Sequence, residues 1–259
     1  MRVLPFTLSL LAGAVFSVAH ADVRLDYKAS SKDAPLTRLE IAGSRMRSDS
    51  GGNTVVVDTA NDEFLTIDRS AKEYTRIDAA QLEKLAGAAS AAMQQVQAML
   101  QNLPPDQRKM IEDRMGGRLP GAAAKTKVAM TPTGRHERIA GHDCEVYAMT
   151  FNGSHDQDLC LANAAEVGLD AADRKALHDA FAYFKRMAEK LSAGGSQLDL
   201  PFDQIGGDRV PIKVVVYDDG KPGATSQLES VRTDAIPASD FQPPAGFREK
   251  AVDLPGLGG

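Results

Sequence analysis

The sequence predicts an α+β fold in which an antiparallel sheet carries amphipathic helices, and three observations lead there. Between residues 23 and 77, short β-leaning segments follow one another through tight turn signals, with no room for the crossover helices that parallel strands need. At Asp78 the apolar period changes from two to three and four, and a second helical stripe begins after Asp170. Strand patterns then resume on both sides of that second helix.

The chain opens with Met1 and Arg2, an apolar run over 3–18 and the small-residue pattern Ala19-His20-Ala21. This is the layout of a secretory signal peptide over residues 1–21, with the mature protein starting at Asp22. The run is too short to span a bilayer, and no cysteine at the junction offers a lipid anchor. The expected location is the periplasm. Residues 22–259 are expected to form a single domain.

Six strands are expected over 23–29, 36–41, 45–48, 53–59, 63–68 and 73–77. Asp78 can cap a helix with Gln81 reaching back to it, and Ile77 can pack on Leu82 as a staple. Leu82, Leu85, Ala89, Met93, Val96, Leu100 and Leu103 recur at helical spacing, so a long helix should run until Pro104-Pro105. A shorter helix over 106–115 ends at Gly116-Gly117, which makes 79–117 a helical insert. Strands are expected at 125–131 and 137–139, and a hairpin follows at 143–150 and 157–162. A helix over about 170–193 carries Leu177, Phe181, Phe184, Ala188 and Leu191, capped by Asp170. A closing hairpin is expected at 212–218 and 226–233, then an extended segment at 241–252 and a flexible tail at 254–259.

The formal charge of −5 is spread without a basic block, and there is no Trp, so nucleic acid is not an expected partner. No other run has the length of a membrane span, and no cofactor is expected. The two cysteines, Cys144 and Cys160, read as a disulfide in an oxidising compartment. A three-residue hairpin loop, Phe151-Asn152-Gly153, sets 144 directly opposite 160, at a Cα separation a disulfide accepts. The competing reading is a metal site using His142 and His155, but the spacing matches no zinc pattern. Ser154-His155-Asp156 is no triad, because consecutive residues point in different directions. Met93, Met99, Met110 and Met115 lack the spacing that stacks thioethers into a copper site. They either fill an irregular core or face a ligand.

Several runs taken together resemble a known family: Gly43-Ser-Arg-Met-Arg-Ser-Asp49, Val55-Val-Val-Asp58 with Phe64-Leu-Thr-Ile-Asp68, Ile139-Ala-Gly-His-Asp-Cys-Glu-Val-Tyr147 with Leu159-Cys-Leu161, and Phe241-Gln-Pro-Pro-Ala-Gly-Phe247. The family is an uncharacterised one of secreted bacterial proteins carrying a domain-of-unknown-function label. It is similar in pattern to the Lol-type periplasmic lipoprotein carriers and receptors. That resemblance implies an unclosed β-barrel, a half-barrel whose inner face is covered by helices, and it brings no catalytic residues. The expected function is a non-enzymatic binding or carrier module for an apolar, lipid-like or acylated ligand. Met93, Val96, Met99, Met110, Phe181 and Phe184 would form its lid and cavity. The alternative is a structural or interaction protein of the cell envelope, with a dry core and a protein partner.

Overall fold

The structure, a computed structural model, describes residues 22–104, 107, 126–192, 198–199 and 207–252. The leader at 1–21, the shorter helix of the insert apart from residue 107, with Met110 and Met115, and the tail at 254–259 lie outside the described residues.

The expected meander forms with nearly the expected bounds: β1 Val23–Ala29, β2 Arg38–Ala42, β3 Arg45–Ser50, β4 Asn53–Asp58, β5 Glu63–Asp68 and β6 Glu73–Ile77. Helix α1 spans Ala79–Gln101, and the Asp78 carboxylate accepts from the Gln81 amide at 2.7 Å. Only half of the expected capping box forms, because Gln81 Oε1 is buried without a hydrogen-bond partner among the described residues. The second half of the chain gives β7 Thr126–Ile139, β8 His142–Phe151, β9 Ser154–Asn163, α2 Ala171–Ser192, β10 Leu198–Asp199, β11 Arg209–Asp218 and β12 Lys221–Arg232. At α2 the box is complete: Asp170 accepts from the amides of Ala172 and Asp173, and Asp173 accepts from the Asp170 amide. A 3-10 turn, Ala238–Phe241, and β13, Arg248–Glu249, lie within a strap formed by residues 236–250.

All thirteen strands join one unclosed sheet, in the order β10-β7-β8-β9-β11-β12-β1-β2-β3-β4-β5-β6-β13. It is antiparallel except at its ends, where β10 on β7 and β13 on β6 are short parallel additions. No described helix is long and apolar enough to cross a membrane.

Side chains alternate between two faces, and α2 packs on one of them. Its Ala176, Leu177, Ala180 and Tyr183 are buried in one cluster with Val23, Leu25, Ile41, Val57, Val146, Val210 and Ile212. Each large apolar side chain sequestered there contributes roughly 1.5–3 kcal/mol. Helix α1 covers less than its stripe suggests. Of its described side chains only Leu82 is buried, and Met99 is 61% exposed. The helix follows an outlying strand and leans on α2 and the end of β6 instead of crossing the sheet, so the helical cover comes mainly from α2.

Two smaller clusters occupy the opposite face. Met130, Tyr147, Leu159, Leu161 and Val214 form one on β7, β8, β9 and β11. Ala42, Val56 and Leu65 form the other, and the strap closes it with Ile236 and Phe241. Beside this second cluster runs a ladder of charge. Glu40, at 0% exposure, lies between its cross-strand neighbours Arg24 and Arg47, with Arg24 Nε 2.5 Å and Arg47 Nε 3.6 Å from its carboxylate. Arg24 also meets the Asp240 carboxylate at 3.2 Å, and Arg47 donates to the Asp240 carbonyl at 2.5 Å.

Candidate functional site

The expected disulfide between Cys144 and Cys160 is present, on a different register from the one anticipated. Asn152 and Gly153 both have positive φ, 51° and 84°, and form a two-residue turn that pairs Phe151 with Ser154. Asp156 is then an extra residue on β9, because Thr150 faces His155 while Met149 faces Gln157. Cys144 therefore opposes Ala162, and Cys160 opposes Val146. The anticipated register was wrong by two positions. Since the side-chain period is also two, both cysteines still share a face, and their Cα atoms lie 5.4 Å apart along a diagonal. Strand twist shortens one diagonal of such a pair. With both sulfurs joined, neither serves the competing metal reading.

The same bulge makes a polar cluster that the sequence reading missed. An extra residue shifts the alternation by one, so His155 and Asp158, three apart, come to one side, and His155 Nε2 lies 2.9 Å from Asp158 Oδ1. Arg135 donates to the same carboxylate at 2.5 Å and the Tyr217 hydroxyl at 3.1 Å, while the His155 and Tyr217 rings stack at 4.2 Å. Burial pushes the Asp158 pKa up, but the hydrogen bonds from Arg135, His155 and Tyr217 and the Arg135 charge outweigh it and leave the carboxyl below its ordinary value. Burial, and then the bond to Asp158, raise the Tyr217 pKa. Three donors around one carboxylate make a rigid brace near the turn end of β9. The partner of His155 is thus Asp158, and the adjacent Asp156 is the bulged residue. Only the bulge could have announced this pairing, and nothing in the local sequence marks a bulge.

A cleft of about 310 Å³ lies beside Cys144. Its walls include His136, Glu145, Leu161, Glu166 and Arg209. The Tyr147 hydroxyl donates to Glu145 at 2.7 Å and receives a hydrogen bond from Arg209.

The expected ligand residues are divided. Phe181 and Phe184 are half-buried against the main cluster, together with Met187 of α2, Val55 of β4 and Phe64 of β5. The Phe184 ring meets Phe64 edge-on at 5.8 Å and Tyr183 at 6.4 Å. These residues lie on the margin of the main cluster, where the Phe184–Phe64 contact joins α2 to β5. Met99 sits elsewhere, exposed on the last turns of α1. Met93 and Val96 belong to α1, but their side chains, like all of Met110, lie outside the described residues.

The family model described as Domain of unknown function (DUF4412) covers residues 117–247, from ahead of β7 through most of the strap. No curated protein matches the chain. The matched segment contains the disulfide hairpin, the Asp158 brace, the cleft and α2, and it amounts to just over half of the 259 residues. The chain therefore belongs to the DUF4412 family.

Proposed function

We propose that this protein is a non-enzymatic binding module of the bacterial periplasm that takes an apolar, lipid-like or acylated ligand along the half-buried margin of the main core, to which α2, β4 and β5 contribute. One observation carries the reading: Val55, Phe64, Phe181, Phe184 and Met187 are apolar, half-buried and packed on the margin of the main core, with the Phe64 and Phe184 rings in contact. The leader-like segment at 1–21 and the oxidised cysteine pair suit an exported protein. An unclosed sheet with a helix on one face suits the half-barrel of the Lol-type carriers, which the sequence resembles.

Export of the full chain, followed by solvent extraction and mass spectrometry, tests the reading. A defined lipid should co-purify. After delipidation, a fatty-acid panel should raise the melting temperature, because a ligand bound only by the folded form stabilises it. An empty extract together with a flat panel favours the second reading, an envelope structural or interaction protein. The burial of Ala176, Leu177 and Ala180 directly on the sheet supports that alternative, since a filled face needs no ligand.

A further inference from the structure

On the face opposite α2, strands β2 to β6 form a groove floored by Ala42, Val56, Leu65 and Tyr74. At one side lie two guanidinium groups, Arg24 and Arg47, held in place by the buried Glu40 between them. At the other, the backbone carbonyls of Lys72 and Tyr74 are free of β5 and point outward from the margin of β6. The groove thus offers an apolar slot, a charge socket and strand-edge acceptors, the set of features that captures an extended segment carrying an acidic and an aromatic residue side by side.

The strap supplies each counterpart. Phe241 is buried in the slot under the Arg45 guanidinium, 4.7 Å from its ring centre. Asp240 fills the socket, its carboxylate on Arg24 and its carbonyl on Arg47. The amides of Arg248 and Lys250 donate to Lys72 and Tyr74 at 3.0 and 2.8 Å. The apolar part of these contacts is a cluster of its own, and no strap residue belongs to the main core cluster on the other face of the sheet. The strap joins β12 through residues 233–235, which are exposed.

We propose that the strap is a detachable ligand of this groove, and that the groove accepts the same segment from a second copy of the chain. Undocking leaves the main core and the disulfide untouched, so it is a local equilibrium and not global unfolding. Nothing in the recognition requires slot and strap to come from one molecule, which is the condition for exchange between copies. The family match reaches only to residue 247, so the DUF4412 segment carries the Asp240-Phe241 anchor while strands outside it carry the groove.

The test uses full-length Phe241→Ala, whose own strap has lost its anchor, and a fluorescent peptide of residues 233–252 standing for the strap of a second copy. The variant should keep its disulfide and far-ultraviolet dichroism and bind the peptide. Wild type should bind it at least ten-fold more weakly, because its tethered strap competes at an effective concentration of about millimolar. A peptide with Asp240→Asn should bind the variant roughly ten-fold more weakly through loss of a charge-assisted contact. The proposal is overturned if the folded variant ignores the peptide, if wild type binds it equally well, or if the asparagine peptide loses nothing. Global unfolding of Phe241→Ala also overturns it, by showing the strap to be an integral part of the core.

Discussion

Glutamine at position 40 probes the charge ladder with the smallest change of shape. Glu40 has no solvent exposure and faces Arg24 and Arg47 across two strand pairs. Neutralising it leaves two guanidinium groups close together with Asp49 and Asp240 as their remaining carboxylates. Removing one partner of a fully buried pair costs about 3–5 kcal/mol. Arg24 and Arg47 keep 16% and 12% side-chain exposure, so water screens part of the residual charge, and about 2–3 kcal/mol is expected here. In a chain of this size that lowers the melting temperature by about 4–12 °C. Urea unfolding followed by circular dichroism reads the loss directly, and its slope should not change. A Glu40→Gln protein within about 0.5 kcal/mol of wild type would refute the reasoning, since the carboxylate would then contribute no more than a surface charge.

Replacing both Cys144 and Cys160 with alanine opens a loop with a sequence separation of 16 and should cost about 3 kcal/mol in denaturant unfolding, with no loss in a wild type already reduced. Leu177→Ala, in the sealed face of α2, should cost about 2–5 kcal/mol, whereas Met99→Ala should stay within about 0.5 kcal/mol; equal losses would mean that α1 is anchored as firmly as α2. The depressed Asp158 carboxyl contributes stability that is present above its unfolded pKa, near 3.8, and disappears as pH falls through the lower folded value. Asp158→Asn should accordingly remove stability at neutral pH and flatten the acid limb of a melting-temperature profile. An unchanged acid limb would show that the brace contributes nothing.

The meander of β1 to β6 is readable from the sequence because its turns are short and its alternation regular. The longer hairpins are less so. Pro132, Thr133 and Gly134 read as a break between two strands, yet β7 runs through them by shifting register between Pro132 and His136. The closing hairpin is expected with its second strand starting at 226, but Asp219 and Gly220, both at positive φ, make the turn alone and free Pro222 to pair with Tyr217. At α1 the apolar spacing is real, but spacing says only which residues share a side of the helix and not whether a sheet lies beneath them. Glu40 fails for the converse reason. The run Arg38-Leu-Glu-Ile-Ala42 alternates as a half-exposed strand should, and a segment two hundred residues away covers the polar side. That segment, rich in proline and lacking a period, gives no sign in advance that Ile236 and Phe241 will be buried. Of the proposed site, Phe181 and Phe184 follow from the helical stripe, while Val55, Phe64 and Met187 required the three-dimensional crossing of α2 over the sheet.

Both margins of the sheet end in two-residue parallel additions, Leu198–Asp199 on β7 and Arg248–Glu249 on β6. A long open sheet is a template on which identical chains can stack indefinitely through unpaired backbone groups. Each addition occupies part of that template with backbone from its own chain, too short to be extended in turn, and at the β6 margin it brings the charges of Arg248 and Glu249. Pairing within the chain thus leaves less unpaired backbone on which another copy could stack. Loss of either addition should appear first as aggregation and only later as a lower melting temperature.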